Sequence, residues 1–303
     1  MFDHPNLAVL VVAAVLLAAF FVSFVWMRRS DVVERVKANE QFTRRQQKDY
    51  SKARSELDEL RRDIERKTDG SMVIDLVHDF GEFRYERDNT PDHVNFEQAI
   101  DAMNAVRSAR KNGPIVVIMH TLGGYSLAAE LVAAALKAHP GPTAVYVPYI
   151  AMSAGTLIAL AADRIHLGKN ACLGPIDTQY AGRSFQALKE LLEFKKERAS
   201  DDELLTYFEA RVREKTIRER VRAIMDDNHK ERAIDALLRQ DLSHDHRITF
   251  DEAEKIGLKV SNECPKEVYL YTELRFVMLK RYKEAIQIAA AAESHTSSVR
   301  GWR

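Results

Sequence analysis

Two short stretches of small residues could support chemistry at a carbonyl group. Residues 147–156 read VPYIAMSAGT and place Ser153 directly after an apolar, β-prone run. Residues 120–124 read HTLGG and end in Gly123 and Gly124. A serine hydroxyl becomes a nucleophile when a base removes its proton, and glycines let backbone N–H groups approach a substrate closely. The two stretches together predict a nucleophile that faces an oxyanion hole.

Each stretch also has a purely structural interpretation. A serine between a strand and a helix often caps the helix by accepting a backbone N–H, and Ser153 occupies such a boundary. A pair of glycines is common in an ordinary strand-to-helix turn, so Gly123 and Gly124 alone indicate no activity. The occurrence of both stretches close together in the sequence favours a catalytic role over these structural interpretations.

The elements around these stretches alternate between strands and helices. Apolar, strand-like runs cover residues 72–77, 114–121, 143–148 and 164–168. Helical periodicity covers residues 96–110, 125–139 and 153–162. This alternation predicts repeated βαβ units around a mainly parallel sheet, so the predicted fold class is α/β. Ligands bind beyond the carboxyl ends of the strands in such sheets, where both stretches lie.

The N-terminal residues differ from the rest of the chain in composition. Residues 7–27 carry no charge, and a helix of that length spans about 30 Å, the thickness of the hydrocarbon core of a bilayer. They predict a transmembrane helix rather than a cleaved signal peptide, because no Lys or Arg precedes them. Arg28 and Arg29 follow the run. We therefore expect a single-pass protein of the cell membrane, with residues 1–6 outside and the catalytic domain in the cytoplasm.

The remaining segments complete the predicted organisation of the chain. We expect a charged helical stalk over residues 28–70, a catalytic domain over 71–262, a C-terminal helix over 263–291 and a disordered tail over 292–303. Residues 185–240 form a helical segment within the domain, with Ser200 and Glu203 as a capping box and Glu209 beside Arg213. Its apolar stripe indicates packing onto the core or a sister subunit.

Composition argues against several classes of partner. The 45 Lys and Arg residues balance 45 Asp and Glu residues, so the charge does not favour nucleic acid. Cys172 and Cys264 lie far apart without metal-ligand spacing, so neither a zinc site nor a disulfide framework is predicted. No phosphate-binding loop or dinucleotide motif is present in the sequence, and we expect no cofactor and no metal.

Four stretches together resemble the Clp-fold serine peptidases, and within them the serine dehydrogenase proteinase family, membrane-bound relatives of signal peptide peptidase A and the Clp protease subunit. They are HTLGG, VPYIAMSAGTLIALAADRIHLG at 147–168, LGPIDTQ at 173–179 and SHDHRITFDEAEKIGLKV at 243–260. The resemblance covers residues 72–262 and implies a Clp/crotonase-like fold. It also implies a serine endopeptidase, independent of ATP by itself, that hydrolyses polypeptides through an acyl-enzyme.

The resemblance implies roles for particular residues. Ser153 would be the nucleophile, and the N–H groups of Gly123 or Gly124 and of Ala154 would bind the oxyanion. The edge beside Gly124 would hold the polypeptide substrate as an added strand. The family usually has proline where this chain has Leu122, which puts the rigidity of the turn in question. Related enzymes assemble into rings or stacks, which implies a homo-oligomer.

The sequence leaves three possible sources for the general base. The Clp protease subunit has a histidine in the stretch that matches LGPIDTQ, but this chain supplies only Asp177 there. We expect Asp177 to be structural, or a partner for a cation in the cleft, rather than a base. Signal peptide peptidase A uses a lysine from a helix after the nucleophile. Lys189, Lys195 and Lys196 are the lysines that could correspond to it.

The third source is the stretch SHDH. Asp245 falls where the Clp protease subunit carries its triad aspartate, and His244 or His246 would supply an imidazole. A His–Asp pair suits neutral pH because imidazole titrates near 6.5. We predict His244 as the base with Asp245 as its partner. The alternative is that His244 caps the helix at 250–256 or satisfies backbone groups ahead of it.

Two other functions are compatible with this fold. A crotonase-like acyl-CoA enzyme would use paired backbone N–H groups to hold a thioester enolate, although that chemistry needs no hydroxyl at Ser153. A catalytically silent membrane scaffold would retain Ser153 only as a helix cap. A fluorophosphonate probe separates these alternatives from a hydrolase, because it labels only an activated serine.

Overall fold

The structure of the protein, a computed structural model, describes residues 48–78, 93–176, 178–180, 183–225, 230–238 and 244–279. The chain divides into two compact units after Ser55. The first unit is described only for residues 48–55, which are helical. The second unit begins at Glu56 and contains every element described below.

Strands and helices alternate along the second unit. The strands are β1 (Met72–Val77), β2 (Ile115–His120), β3 (Thr143–Val147), β4 (Ile150–Ala151), β5 (Arg164–Leu167), β6 (Cys172–Leu173), β7 (Gln179–Tyr180), β8 (Arg183–Ser184) and β9 (Val260–Ser261). The helices are α1 (56–67), α2 (Phe96–Ser108), α3 (Ser126–Ala138), α4 (Ala154–Ala159), α5 (Phe185–Lys195), α6 (Asp201–Ile224), α7 (Lys230–Leu237), α8 (Phe250–Lys255) and α9 (266–279).

A five-stranded sheet in the order β1-β2-β3-β5-β9 forms the centre of this unit. All four strand pairs are parallel. Val117 in β2, for example, lies opposite Ile74 in β1 and Val145 in β3. The parallel pairing follows from the helical crossovers between consecutive strands. The predicted α/β fold with a mainly parallel sheet is confirmed.

The central strands are buried on both faces, which explains their continuous apolar runs. Val117 and Met119 pack with α2, α3 and α4 on one face, while Val116 and Ile118 pack with α1 and α9 on the other. Alternate side chains of a strand point to opposite faces of the sheet. An unbroken apolar run is therefore needed to fill both layers.

Helix α1 belongs to the packed unit. Ile64 is only 2 % exposed and lies in the apolar cluster beneath the sheet, with Leu57 and Leu60 packed against that cluster. Lys67 Nζ also lies 2.8 Å from a carboxylate oxygen of Glu267 in α9. The packed unit therefore includes the last residues of the segment that the charge pattern predicts as a stalk.

The predicted single-pass location in the cell membrane is not borne out. Among the described residues, no helix is both long enough and apolar enough to cross a bilayer. The longest of them, α6, carries charged residues along its whole length, which opposes burial in hydrocarbon. The predicted transmembrane helix at 7–27 lies outside the described residues, as do residues 1–6, 28–47 and 280–303.

The predicted helical segment over 185–240 contains α5, α6 and α7. Ser200 and Glu203 form the predicted capping box at the start of α6. Val221 and Ile224 at the other end of α6 are buried in the core, whereas Leu205 is 61 % exposed. Only the C-terminal half of the predicted apolar stripe therefore packs onto the domain.

A smaller sheet continues from the end of β2. Thr121, directly after β2, pairs with Ala151 of β4 in the parallel sense, and β4 pairs with β6 in the same sense. Leu173 of β6 pairs in the antiparallel sense with Ile248. The small sheet therefore joins four segments that are widely separated along the chain.

Candidate active site

One edge of the small sheet gathers the residues that could do chemistry. Its first three segments run parallel, so the residues that follow each of them emerge at the same edge. Its last segment runs antiparallel, so the residues that precede Ile248 emerge there too. Gly124, Ser153, Thr178 and His244 all line one cavity of about 530 Å³ at this place.

Ser153 does not cap the helix that it precedes. It stands directly before α4, but its side chain accepts no capping hydrogen bond from that helix. Its backbone has φ 49° and ψ −113°, a conformation that non-glycine residues rarely adopt and that typically costs about 1–3 kcal/mol. The capping interpretation is therefore wrong. The strained turn leaves the Ser153 side chain on the wall of the cavity.

The double-glycine turn packs directly against Ser153. Gly123 has φ 121° and Gly124 has φ 154°, both in the region that favours glycine. A Cβ atom on Gly123 would lie 2.9 Å from the Cβ atom of Ser153 and 3.4 Å from the nitrogen of Ala154. A Cβ atom on Gly124 would lie 2.2 Å from the carbonyl oxygen of Val94. Only glycine fits either position without displacing the neighbouring backbone.

Hydrogen bonding distinguishes the two glycines. The Gly123 N–H donates to Thr121 Oγ1 at 3.0 Å, and the Gly123 carbonyl accepts the N–H of Val94 at 2.8 Å. The N–H groups of Gly124 and Ala154 make no hydrogen bond within the described residues. Gly124 and Ala154 are therefore the pair that can donate to an oxyanion.

Val94 already pairs with one edge of the turn. Its carbonyl accepts the Tyr125 N–H at 2.9 Å, in addition to its own bond with Gly123. Successive peptide groups of an extended chain point to opposite sides. A substrate strand added beside Gly124 must therefore pair on the side away from Val94.

A series of buried hydrogen bonds holds the double-glycine turn in place. Thr121 Oγ1 lies 2.7 Å from His78 Nδ1, and His78 Nε2 lies 3.0 Å from Gln98 Oε1. Both Thr121 and His78 are fully buried. The Thr121 hydroxyl has two acceptors within reach, His78 Nδ1 and the Gly123 carbonyl oxygen at 3.2 Å. Thr121 Oγ1 in turn accepts the Gly123 N–H.

His120, at the start of HTLGG, is not part of the cavity wall. Burial, and then the neighbouring His78, lowers the pKa of His120 from 6.5 to about 4. Its ring contacts those of Tyr149 and Phe276 at centroid distances of 5.6 and 4.8 Å. A neutral His120 therefore packs behind the turn rather than acting at the site.

Among the candidate bases that the structure describes, His244 is the one that lines the cavity. It is half-buried, whereas Asp245 is exposed and does not line the cavity. His246 lies elsewhere, with Nε2 3.9 Å from Glu252 Oε1. Thr249 caps α8 through a capping box with Glu252, so the helix beyond does not use His244 as its cap.

The candidate lysines do not line the cavity. Lys189 Nζ lies 4.0 Å from Glu193, and Lys195 donates to Glu203. The Lys195 hydrogen bond is the largest cause that lowers the pKa of Glu203, from 4.5 to about 2, which is typical of a stable ion pair. Lys196 follows at the end of α5 with φ 49°. Asp177 lies outside the described residues.

Thr178 and Arg213 also line the cavity, although the sequence predicts no part in the site for either residue. Thr178 is 3 % exposed, and its hydroxyl has no hydrogen-bond partner within the described residues. Arg213 does not form the predicted ion pair with Glu209. Its guanidinium lies over the Tyr180 ring at 4.7 Å, and the Tyr180 hydroxyl donates to Glu209 instead. No local sequence signal indicates either arrangement.

Comparison with known proteins identifies the family of the chain. Residues 42–298 match the family of ClpP-like SDH-type serine proteinases. The chain belongs to this family. The match includes the serine, the double-glycine turn and the histidine of the cavity, and it confirms the resemblance noted in the sequence. The family places this chain among ClpP-like serine peptidases.

Two relatives come from Methanocaldococcus jannaschii. The uncharacterized protein MJ0137 is 38% identical over 186 residues, which cover 60% of this chain and 65% of that protein. The uncharacterized protein MJ1495 is 32% identical over 217 residues, which cover 70% and 74%. The chain thus spans just under two thirds of MJ0137.

Among solved structures, ClpP1 from Listeria monocytogenes superposes with a TM-score of 0.42 at 14% identity, covering 66% of this chain and 97% of ClpP1.

Proposed function

We propose that the protein is a serine endopeptidase that cleaves polypeptides through an acyl-enzyme on Ser153. The observation that carries this proposal is the position of Ser153. Its side chain caps no helix, its backbone is held in a strained turn, and it shares a cavity with Gly124, Ala154 and His244. The shared cavity of about 530 Å³ supports roles for these residues as nucleophile, oxyanion donors and base, and it is large enough for a peptide segment.

The reaction follows from these positions. His244 accepts the Ser153 hydroxyl proton while Oγ bonds to the carbonyl carbon of the substrate. The carbonyl electron pair moves onto the oxygen, which accepts hydrogen bonds from the N–H groups of Gly124 and Ala154. The C–N bond then breaks, and the amine leaves with the proton that His244 returns. Water attacks the acyl-enzyme by the same sequence of steps and releases the acid.

The choice of His244 rests on position and on protonation. A base must be neutral before it can accept a proton, and an imidazole with an ordinary pKa is largely neutral at pH 7. Lys195, by contrast, forms an ion pair with Glu203 and does not line the cavity. The role of Asp245 as a partner of His244 stays a prediction. The assembly of the chain into a homo-oligomer also stays a prediction.

A fluorophosphonate probe tests the proposal on the full chain. We expect wild-type protein to be labelled on Ser153 and Ser153→Ala protein not to be labelled. Ser126→Ala is the matched control, because Ser126 also lines the cavity but lies at the start of α3 and should not react. Peptide mapping of the labelled protein identifies the modified serine. Folded wild-type protein without label on Ser153 would leave the scaffold as the better description.

A second comparison tests the base. We expect His244→Ala to slow labelling by several orders of magnitude, as loss of a triad member does elsewhere. The wild-type rate should rise with pH through an apparent pKa near 6–7. His246→Ala is the control, because His246 lies beside Glu252 rather than on the cavity wall. Undiminished labelling of His244→Ala protein would remove this assignment while leaving Ser153 in place.

A further inference from the structure

The charge on the wall of the cavity beside Ser153 is of one sign. Among the described residues that line this cavity, the permanently charged side chains are Arg213 and Arg220, and no Asp or Glu is present. Arg220 Nε lies 3.0 Å from Glu130 Oε2, so its charge is balanced. Arg213 has no carboxylate within ion-pair distance in the described parts of the chain. The net positive charge of this wall therefore comes from Arg213.

The contact that holds Arg213 leaves its hydrogen-bond donors available. The guanidinium lies over the face of the Tyr180 ring, with Cζ 4.7 Å from the ring centroid. Stacking on an aromatic face does not consume the in-plane N–H groups of arginine. Those N–H groups match a carboxylate in a bidentate arrangement. Tyr180 therefore orients Arg213 without neutralising it.

Thr178 supplies a second donor in the same cavity. It is 3 % exposed, and its Oγ1 atom is buried without a hydrogen-bond partner in the described structure. A buried hydroxyl without a partner is unfavourable, so it usually marks the place of a water or a ligand. The adjoining surface is apolar, with Ile176 and Leu157 on the wall. A ligand group there would gain from a hydrogen bond with Thr178.

We propose that this cavity recognises a carboxylate of the polypeptide substrate, which Arg213 and Thr178 bind together. This inference rests on the proposed function, because it defines the substrate class of that same site. Carboxylates are the anions that unmodified polypeptides carry, either on Asp and Glu side chains or at the free C-terminus. Opposite charge across a cavity contributes chiefly to specificity. The protein therefore selects acidic segments or C-terminal ends of polypeptides.

The test measures peptide binding to full-length Ser153→Ala protein, so that turnover does not interfere. Dye-labelled peptides of neutral sequence carry one Glu, moved position by position, and each is compared with Gln at that position. Every peptide is made with a C-terminal carboxylate and with a C-terminal amide. We expect one Glu position, or the C-terminal carboxylate, to tighten binding about tenfold, which corresponds to about 1.4 kcal/mol. The two sets of peptides distinguish the two sources of the carboxylate.

Substitutions assign the preference to its residues. In the same background, Arg213→Gln should abolish the preference, and Arg213→Glu should reverse it in favour of Lys. Arg211→Gln is the matched control, because Arg211 lies on the same helix over the Phe208 ring at 5.2 Å and does not line the cavity. Thr178→Val should reduce the preference, and Thr178→Ser should restore it. Added salt should weaken the preference, because it screens charge.

The outcomes separate this inference from the proposed function. Equal binding of Glu and Gln peptides at every position, together with equal binding of acids and amides, overturns the inference. A preference that survives Arg213→Gln overturns it as well, and so does the absence of measurable binding. Failure of the proposed function appears instead as folded protein that a fluorophosphonate does not label on Ser153. That labelling result does not depend on how any peptide binds.

Discussion

Replacing Thr121 with valine tests how the double-glycine turn, the proposed source of an oxyanion donor, is held. Valine keeps the branched shape of threonine but removes the hydroxyl. In the structure Thr121 Oγ1 lies 2.7 Å from His78 Nδ1 and accepts the Gly123 N–H at 3.0 Å. Thr121 is fully buried, so water cannot replace the lost hydroxyl. The substitution therefore leaves His78 Nδ1 and the Gly123 N–H without the hydroxyl as their partner.

The size of the effect follows from those two contacts. A buried polar group that loses its partner costs about 1–3 kcal/mol, so with two such groups the free energy of unfolding should fall by about 2–6 kcal/mol. Gly123 is then no longer tied to Thr121, and the adjoining Gly124 N–H shifts relative to Ser153. Removal of one oxyanion donor costs about 10²–10³ in rate. Because the donor is displaced rather than removed, we expect acylation to slow by about 10- to 100-fold.

The assay compares Thr121→Val with Thr143→Val. Thr143 is also buried, and its hydroxyl donates to Asp163 Oδ2 and accepts the Asp163 N–H, both at 3.0 Å. It stands at the start of β3, at the opposite end of the sheet from the cavity. Urea unfolding should show a similar loss of stability in both variants. The rate of fluorophosphonate labelling should fall only in Thr121→Val.

Two results would refute this reasoning. If Thr121→Val protein reacts at the wild-type rate, the bond to Gly123 does not position the oxyanion donor. If Thr143→Val slows labelling by the same factor, the loss reflects general destabilisation. Thr121→Ser keeps the hydroxyl, so it should restore most of the rate if the hydroxyl itself is what matters.

Three further outcomes are expected. Gly124→Val should abolish labelling, because a Cβ atom there would lie 2.2 Å from the Val94 carbonyl oxygen; wild-type labelling would place the oxyanion donors elsewhere. Lys195→Ala should be labelled at the wild-type rate across the pH range, because Lys195 pairs with Glu203 away from the cavity, and an inactive variant would restore lysine as the base. Burial lowers the pKa of His120 from 6.5 to about 4, so stability is fully present above about pH 6.5 and is lost as the pH falls towards 4. This loss should amount to at most about 3 kcal/mol in urea unfolding, and it should be smaller in His120→Leu protein; an unchanged loss would assign the acid sensitivity to other groups.

Much of the fold could be read from local patterns. The apolar run at 72–77 is β1 residue for residue, and the capping box of Ser200 and Glu203 starts α6 as predicted. Such features depend on residues a few positions apart, whose spacing either matches the period of a strand or helix or does not. The alternation of strands and helices then implies the parallel sheet. Ser153 and the double-glycine turn were likewise visible, because their residue types are unusual at a strand end.

Other features depended on partners that no local pattern specifies. Glu209 and Arg213 have the spacing of a helical ion pair, yet Tyr180 from a neighbouring hairpin contacts both residues. Gly123 and Gly124 are equivalent in the sequence, but the Thr121 hydroxyl occupies the N–H of only one of them. These outcomes are set by competition among groups that folding brings together.

The sequence by itself determined the α/β class, the family and the serine that stands at the end of a strand. Only the tertiary structure decided which candidate base shares a cavity with Ser153. Five histidines and lysines are chemically suitable as the base: His244, His246, Lys189, Lys195 and Lys196. The antiparallel pairing of Leu173 with Ile248 brings the end of SHDH that holds His244 to the edge of the small sheet where Ser153 lies. Pairing between segments so distant along the chain reflects packing of the whole domain, since the entropy of closing the loop must be offset by many contacts at once. Residue type therefore selects the possible chemistry, and long-range pairing selects the residues that can perform it.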